Sequence, residues 1–273
     1  MRKITVITGA SSGMGAEFAR QIYSSTESTE IWLIARSREK LDSLKAEIEK
    51  NTDTSPDSGV IPQVKVIPMD LSGKNGINLF ASLLDEEKVH GEFMIDMLVN
   101  NAGFGTYGEF ALTPLDRELD MIDLNCTSLT GLAGLAVPYM DRGSVIINTA
   151  SLAAFLPLGN FAVYAATKAY ALSFSVALAA ELKPKGIKVC ALCPGSVSTD
   201  FANVASNGAR REVLHGKDPV KVVRHCLKKA AKGKRIILWS KKWKFTAFMS
   251  RFIGRYFCAA YTFRYNKRPG NWK

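Results

Sequence analysis

A glycine-rich turn near the start of the chain constrains the fold more than any other feature. Residues 3–7 are apolar and β-branched, residues 8–15 form a turn with three glycines, and a helical pattern follows over 16–23. Glycines permit a tight turn and a close backbone approach, and a helix N-terminus offers free N–H groups and the positive end of a dipole. A strand, a glycine turn and a helix in this order predict a binding site for nucleotide phosphates.

Strands and helices alternate along the rest of the chain. Apolar runs predict six further strands, at 31–34, 64–67, 95–99, 144–148, 187–192 and 235–239. Helical patterns lie at 39–50, 75–87, 115–140, 161–182 and 219–232, and the polar segment 51–63 predicts a surface loop. This alternation predicts an α/β fold of the Rossmann type, a doubly wound parallel sheet of seven strands with helices on both faces. A chain of 273 residues that is 47% hydrophobic needs only one core, so we expect a single domain over 1–239.

The helical run 161–182 carries a tyrosine and a lysine four positions apart, Tyr164 and Lys168. Residues at this spacing share one face of a helix. A tyrosine hydroxyl has a pKa of about 10, and a lysine ammonium beside it favours the phenolate and lowers that pKa. The pair is a candidate general acid or base, although the same spacing also occurs by chance in ordinary helices.

Polar residues follow the predicted strands at the edge where open α/β sheets bind ligands. Arg36 follows the second strand, Asp70 and Leu71 follow the third, and Asn100-Asn101-Ala102-Gly103 follows the fourth. An arginine about 20 residues after the glycines accommodates a 2′-phosphate, which favours NADP(H) over NAD(H). The alternative is that Arg36 is a solvated residue at a helix start.

Taken together, these motifs resemble those of the short-chain dehydrogenase/reductases in order and approximate spacing. The resemblance covers roughly residues 3–239 and is specific because several separate motifs agree. The matching residues are Thr8-Gly9-x-x-x-Gly13-x-Gly15, Asn100-Asn101-Ala102-Gly103, Asn125, Ser151, Tyr164-x-x-x-Lys168 and Pro194-Gly195.

The resemblance implies a catalytic set of four residues. Tyr164 would exchange a proton with the substrate oxygen while hydride moves between the substrate carbon and a nicotinamide. Lys168 would hold the nicotinamide ribose and lower the pKa of Tyr164, Ser151 would hydrogen-bond the same substrate oxygen, and Asn125 would anchor a proton-relaying water. Considered singly, Ser151 would be read as a turn residue and Asn125 as a satisfied buried amide.

The resemblance also implies contacts with a dinucleotide cofactor. Gly9, Gly13 and Gly15, together with Met14, would lie under the pyrophosphate. The other implied contacts are Ser11, Ser12 and Arg36 near the 2′-phosphate, Asp70 and Leu71 at the adenine, Asn101, Ala102 and Gly103 on the adenosine side and the ribose, Tyr164 and Lys168 at the nicotinamide ribose, and Pro194, Gly195, Val197 and Thr199 beside the carboxamide.

The stretch 196–218 lies where the family carries its substrate lid. It contains apolar residues and two arginines, Arg210 and Arg211. The apolar residues of the lid and of the neighbouring turns are Phe201, Val204, Val213, Leu214, Phe104, Tyr107, Phe110, Phe155, Leu156 and Leu158. They predict an apolar pocket with a basic rim for a sterol-like or long-chain ketone or alcohol, with plain lid packing as the alternative.

The extension 240–273 is basic and aromatic. From residue 219 onward there are 16 Lys and Arg and no Asp or Glu, whereas residues 1–218 hold 20 basic and 25 acidic side chains. Drawn as one helix, 241–263 places aromatic residues on one side and Lys244, Arg251 and Arg255 on the other. The apolar side comprises Phe245, Phe248, Met249, Phe252, Ile253, Tyr256, Phe257 and Ala260. Such a helix could lie on an anionic membrane, pack over the substrate pocket or seal an oligomer interface.

The location is expected to be cytoplasmic, with peripheral membrane contact as the alternative. We find neither a signal peptide nor an uninterrupted apolar stretch of membrane-spanning length. The five scattered cysteines suit a reducing compartment and have no metal-ligand spacing, and Cys190-x-x-Cys193 is expected to serve packing. Nothing resembles a motif that reads nucleic-acid grooves.

The predicted function is an NADP(H)-dependent oxidoreductase that interconverts a ketone and a secondary alcohol on a hydrophobic, steroid-like, bile-acid-like or other lipid-like substrate. One alternative is a 3-oxoacyl ketoreductase that acts on carrier-bound acyl chains, and another is a non-catalytic NADP-binding sensor or scaffold. The helix 161–182 is apolar on nearly every side and needs cover beyond the sheet, so we expect a homodimer or homotetramer.

Overall fold

The computed structural model describes residues 1–50, 59–211, 213 and 215–272. Within these ranges seven strands form one parallel sheet in the order β3-β2-β1-β4-β5-β6-β7. The strands are β1 (Arg2–Thr8), β2 (Glu30–Ala35), β3 (Gln63–Pro68), β4 (Phe93–Asn100), β5 (Val145–Thr149), β6 (Lys188–Leu192) and β7 (Ile236–Ile237). The predicted sheet and strand count are confirmed, while most of the loop expected at 51–63 and the lid residue Leu214 lie outside the described residues.

Helices cover both faces of this sheet. They are α1 (Gly13–Tyr23), α2 (Arg38–Lys50), α3 (Gly73–Val89), α4 (Leu115–Ile122), α5 (Leu129–Ala136), α6 (Ala162–Glu181), α7 (Phe201–Ala205), α8 (Pro219–Ala230), α9 (Lys241–Met249) and α10 (Arg255–Tyr265). Successive strand residues point to opposite faces. Ile31 and Leu33 of β2 therefore pack with α1, α2 and α8, while Trp32 and Ile34 pack on the other face with α3, α5 and α6.

The helix expected over 115–140 is not continuous. A π-helical turn, Asp123–Ser128, separates α4 from α5, and a 3₁₀ turn, Val137–Tyr139, ends the run. The Ser128 hydroxyl donates to the Asp123 carbonyl oxygen at 2.9 Å and accepts a hydrogen bond from the Gly73 backbone. This side chain therefore supports the widened turn from inside the fold. Single π turns of this kind are frequent at functional sites.

The prediction of one amphipathic helix over 241–263 is wrong. The chain leaves helical geometry between α9 and α10, where the Ser250 hydroxyl bonds back to the Ala247 carbonyl oxygen at 2.8 Å and Gly254 takes ψ 129°. Trp243, Ala247, Cys258 and Thr262 face the protein. Most of the expected apolar side is instead exposed, including Phe245, Phe248, Phe252, Tyr256 and Phe257. The domain boundary at residue 239 stays a prediction.

The expectation that no apolar stretch has membrane-spanning length does not hold, because one helix within the described ranges, α6, is long and apolar enough to meet the criterion for a membrane span. Its buried face, however, carries Lys168 and Ser175 and packs on the sheet. The inner face of α6 is thus that of a helix packed on a core, while Tyr170 and Val176 on its outer side are exposed.

Candidate active site

The predicted site residues lie along the edge of the sheet where the parallel strands end. β1 ends at Thr8 before the glycine turn, β4 ends at Asn100 and β5 ends at Thr149. Lys168 of α6 reaches the same edge, because its Nζ donates a hydrogen bond to the Thr149 carbonyl oxygen at 2.7 Å. The fold thus brings the nucleotide turn and the Tyr164–Lys168 face together.

The glycine turn has no room for side chains at its key positions. Gly9 and Gly13 have φ angles of 63° and 54°, a left-handed region that favours glycine. A Cβ on Gly15 would overlap the carbonyl of Gly9. Neither an acidic residue nor a side-chain cap occupies the first turn of α1 after Ser12, so its N–H groups and positive dipole end are available. These features fit the pyrophosphate of a dinucleotide, whereas Met14 packs against the core.

The first residues of the Asn100–Gly103 segment bind neighbouring strand ends together. The backbone N–H groups of Asn101 and Ala102 both donate to the Thr8 hydroxyl at 2.9 Å. The Asn101 side chain donates to the Thr8 carbonyl oxygen at 3.2 Å and accepts from the Thr149 hydroxyl at 3.3 Å. Gly103 is exposed. Asn101 therefore positions the ends of β1, β4 and β5 relative to one another.

The residues predicted on the adenosine side lie at the ends of β1, β2 and β3. Arg36 is exposed directly after β2, next to the turn that carries Ser11 and Ser12. Asp70 is exposed and accepts a hydrogen bond from the backbone of Ser72 at 3.0 Å, while Leu71 is buried. This placement fits an adenosine half bound across the ends of the first three strands.

Burial dominates the electrostatics of Lys168. Its side chain is almost wholly enclosed, and burial lowers its pKa to about 8. The Nζ lies 5.7 Å from the centroid of the Tyr164 ring. One turn of helix therefore separates the two groups as the sequence predicts, and the lysine is held at the sheet edge by Thr149.

Tyr164 is enclosed by aromatic rings. The Phe161 ring stacks on it with 4.1 Å between centroids, and the Phe201 ring lies 5.5 Å away. Burial raises the pKa of Tyr164 above its ordinary value, and a hydrogen bond with Ser151 opposes this only in part. The expected lowering of this pKa by Lys168 is therefore not what the structure gives, since desolvation of the phenolate outweighs the distant ammonium. Without cofactor, Tyr164 is held as a protonated phenol.

Ser151 connects the loops that follow β5 and β6. Its hydroxyl accepts a hydrogen bond from the Ala153 backbone at 3.1 Å and donates to the Pro194 carbonyl oxygen at 3.4 Å. Gly195 lies against the indole of Trp243, where a Cβ would not fit. The hydroxyl that would meet a substrate oxygen is thus fixed from both sides.

Asn125 lies in the π turn and is fully buried. Its carboxamide oxygen accepts from the Phe104 N–H at 3.1 Å, and its nitrogen donates to the Phe104 carbonyl at 2.9 Å and to the Thr167 hydroxyl at 3.1 Å. These bonds tie the loop after Gly103 to the helix that carries Lys168. The side chain is a satisfied amide that positions the site, and its predicted water-anchoring role stays a prediction.

The start of the predicted lid lies above the glycine turn. Thr199 packs against Gly13, at 3.4 Å from a Cβ placed there, and Val197 is buried and bridges to Lys217. Phe201 then covers Tyr164. The lid therefore approaches both the expected cofactor site and the expected substrate site.

The cysteines have no redox arrangement. All five are free, and burial raises the pKa of Cys190 and of Cys193 to about 12. A thiol with so high a pKa is a poor nucleophile, which agrees with a packing role for Cys190-x-x-Cys193.

Several residues at the site were not predicted from the sequence. Thr8 belongs to the glycine motif found in the sequence, but its hydrogen bonds to the backbone of Asn101 and Ala102 were not predicted. Thr167 has a local signal, because it is a polar residue within an apolar helix. The C-terminal strap, residues 266–272, has none. It lies against the loops around the cleft, and the Trp272 indole N–H donates to the Tyr107 carbonyl oxygen at 2.6 Å. Only the folded chain brings these distant segments together.

Comparison with known proteins points to one family. The model of the short chain dehydrogenases matches residues 3–209. Mouse 17-beta-hydroxysteroid dehydrogenase type 3 is 30% identical over 212 residues, which cover 76% of this chain and 64% of that protein. A very-long-chain 3-oxoacyl-CoA reductase of Ajellomyces capsulatus is 30% identical over 237 residues, which cover 84% of this chain and 63% of that protein. The chain thus spans less than two thirds of the length of these two relatives.

Solved structures share the architecture. A short-chain dehydrogenase from Sphingobium yanoikuyae in complex with NADPH superposes with a TM-score of 0.74 at 26% identity, and the match covers 92% of this chain and 94% of that one.

Proposed function

Because this chain belongs to the short-chain dehydrogenase family, we propose that it is an NADP(H)-dependent oxidoreductase that interconverts a ketone and a secondary alcohol on a hydrophobic substrate. The observation that carries the proposal is the convergence of Ser151, Tyr164 and Lys168 at the sheet edge beside a glycine turn that fits a pyrophosphate. A non-catalytic sensor of NADP would have no chemical need for all three side chains.

The side chains can carry out the proton transfer. A bound nicotinamide cofactor supplies or accepts the hydride. Tyr164, held as a phenol by its burial, donates its proton to the carbonyl oxygen in the direction of reduction. Ser151 turns its hydroxyl proton from the Pro194 carbonyl oxygen to the same substrate oxygen and stabilises its developing charge. Lys168 places a positive charge near Tyr164 and stabilises the phenolate that forms when the tyrosine gives up its proton. Asn125 keeps α6 in register with the loop after Gly103.

The proposed preference for NADP(H) over NAD(H) rests on Arg36. Its exposed guanidinium at the end of β2 can bind a 2′-phosphate through bidentate hydrogen bonds. Arg36→Asp should reverse the preference, measured as the ratio of kcat/KM for NADPH and NADH. A wild-type enzyme that turns over faster with NADH would contradict this assignment.

The proposed hydrophobic substrate is supported by the aromatic surroundings of Tyr164. Phe161 and Phe201 lie against its ring, and Tyr107 pairs with both of them. Phe201 belongs to the lid, so its displacement would open the way to the tyrosine hydroxyl. A second candidate function is 3-oxoacyl reduction, favoured by the relative named as a very-long-chain 3-oxoacyl-CoA reductase.

We further propose that α9 and α10 contact an anionic lipid surface. Eight aromatic residues of this region are exposed, and the chain from residue 219 carries 16 basic and no acidic side chains. The eight are Phe245, Phe248, Phe252, Tyr256, Phe257, Tyr261, Phe263 and Tyr265. Aromatic rings with basic neighbours are typical of proteins that lie at the lipid headgroups.

Vesicle sedimentation tests this contact. We expect binding to phosphatidylserine-containing vesicles that weakens in the double variant Phe248→Ser and Phe252→Ser and in high salt. Val89→Ser removes an apolar residue elsewhere that is even more exposed and serves as the control. Equal sedimentation of the double variant and the control would exclude this surface.

We also propose that a second copy of the chain covers α4 and the outer side of α6. Leu115, Leu119 and Ile122 of α4 and Tyr170 and Val176 of α6 are exposed apolar residues on neighbouring helices. A homodimer or homotetramer would bury them. Sedimentation velocity should give an oligomer that Leu119→Lys dissociates, and a wild-type monomer at micromolar concentration would overturn the proposal.

The activity itself is tested with hydrophobic ketones. We expect oxidation of NADPH, followed by its absorbance, with steroid, bile-acid or 3-oxoacyl ketones. Tyr164→Phe should remove turnover while cofactor binding, measured by nucleotide fluorescence, persists. Full activity of the Tyr164→Phe variant would refute the mechanism.

A further inference from the structure

The C-terminal strap contacts three separate loops that surround the candidate active site. Arg268 donates to the Gly159 carbonyl oxygen at 3.4 Å, and the Asn271 N–H donates to the Ser206 carbonyl oxygen at 2.9 Å. Trp272 bonds to Tyr107. These loops precede α6, form part of the lid and follow β4. The strap is therefore part of the wall of loops around the site.

The strap places one arginine close to the catalytic tyrosine. The Arg268 guanidinium carbon lies 5.3 Å from the centroid of the Phe161 ring, and that ring stacks on Tyr164. Its Nη1 bonds to backbone carbonyl oxygens of Gly159 and Asn266, at 3.4 and 3.5 Å. Among the residues that the structure describes, no carboxylate forms an ion pair with it. A half-buried guanidinium is thus held by neutral acceptors alone.

A second arginine adds to this positive charge. Arg210 of the lid lies near the strap, because its backbone N–H donates to the Ser206 hydroxyl at 2.8 Å and the Ser206 carbonyl oxygen accepts from Asn271. Burial lowers the pKa of the Arg268 guanidinium, and the charge of Arg210 adds to this lowering. Burial raises the pKa of Tyr107, and the positive charges of both arginines oppose this rise. Within the described ranges Arg210 also forms no ion pair. Two like charges in one region without a counter-charge are unfavourable, and an anion bound there would relieve the repulsion.

We propose that Arg268 and Arg210 form a subsite for an anionic group at the far end of the substrate. The proposal rests on the proposed function, which places the reacting carbonyl at Tyr164. A guanidinium matches the two oxygens of a carboxylate or phosphate and stays charged at every physiological pH. The substrate is then an apolar ketone or alcohol with a carboxylate or phosphate outside the aromatic cluster. A neutral ketone of the same size lacks this contact.

The first measurement is direct binding, which needs no turnover. Quenching of tryptophan fluorescence would follow the binding of palmitoyl-CoA, palmitate and methyl palmitate. We expect Arg268→Gln to weaken binding of an anionic ligand by about ten- to a hundredfold, the range of a hydrogen bond to a charged group, and to leave methyl palmitate unchanged. A loss confined to palmitoyl-CoA assigns the anion to a phosphate, and a loss confined to palmitate assigns it to a carboxylate.

Two variants separate a charge contact from a structural effect. Arg268→Lys keeps the charge and should retain more anion affinity than Arg268→Gln. Arg224→Gln removes an exposed arginine of α8 and should bind like the wild type. Circular dichroism should show the same fold for all of them. Equal weakening of charged and neutral ligands, or equal wild-type affinity for both, would overturn the subsite.

The second measurement is kinetic and separates this proposal from the proposed function. With a 3-oxoacyl chain presented as its CoA thioester and as its neutral N-acetylcysteamine thioester, Arg268→Gln should raise KM only for the CoA thioester and leave kcat unchanged. Wild-type protein that reduces neither thioester contradicts the acyl function, while the binding measurement still decides the subsite.

Discussion

The buried ammonium of Lys168 should destabilise the cofactor-free protein by an amount that depends on pH. Burial lowers its pKa from 10.5 to about 8, and each pKa unit is worth 1.36 kcal/mol. At pH 7, where the lysine is protonated in both the folded and the unfolded state, the shift corresponds to about 3 kcal/mol of lost stability.

The direction in which stability changes with pH follows from the number of protons bound in each state. Between the two pKa values the unfolded chain binds more protons at Lys168 than the folded chain does, so stability rises with pH. From pH 7 to pH 9.5 the destabilisation by Lys168 should shrink by about 2 kcal/mol. Lys168→Met removes the titrating group and nearly preserves its volume.

Urea denaturation of both proteins without cofactor measures this effect. The free energy of unfolding of Lys168→Met minus that of the wild type should be larger at pH 7 than at pH 9.5, by about 2 kcal/mol. The lost hydrogen bond to Thr149 is common to both pH values and cancels in this comparison. Lys221→Met, an exposed lysine of α8, is the control. A stability difference between wild type and Lys168→Met that is the same at both pH values would refute the reasoning.

Three further outcomes are expected. Gly15→Ala should abolish NADPH binding, measured by nucleotide fluorescence, because the new Cβ meets the backbone of Gly9. Asn125→Ala leaves the buried polar groups that it bonds without partners and should lower the free energy of unfolding by about 2 to 4 kcal/mol in urea titration. Burial raises the pKa of Glu87, but hydrogen bonds from Lys65 and Arg2 outweigh it and leave that pKa low. Glu87→Gln should therefore destabilise the protein at pH 7, with the difference from wild type fading as acid protonates Glu87.

The sheet could be predicted from the sequence because its strands are buried on both faces. Such strands read as continuous apolar runs, and Ile31, Trp32, Leu33 and Ile34 are all fully buried. Because a helix connects each strand to the next, neighbouring strands can run parallel in the sheet. The strand order then follows from connections that place β2 and β4 on either side of β1.

The electrostatics of the site could not be predicted in the same way. Sequence spacing places Lys168 one turn from Tyr164, but the pKa of the tyrosine depends on what covers it. Phe161 precedes it on the same helix, whereas Phe201 comes from the lid. Desolvation by these rings is a property of the tertiary structure, and it reverses the expected direction of the pKa shift.

The extension shows a further limit of periodicity. A helical projection assumes one unbroken helix, and the break between Ser250 and Gly254 changes which residues share a face. The interaction of Trp272 with Tyr107 joins residues far apart in the chain. Such a contact leaves no mark on local composition.

The central position of β1 has a consequence for how the chain folds as it is synthesised. β1, β2 and β3 can pair early, but the other edge of β1 stays open until residues 93–100 of β4 have been made. An open apolar edge is a template for pairing with another chain, and parallel pairings between distant segments form slowly. Early folding intermediates should therefore be the species that aggregates. Dilute conditions, or a chaperone that shields this edge, should raise the yield of refolded protein.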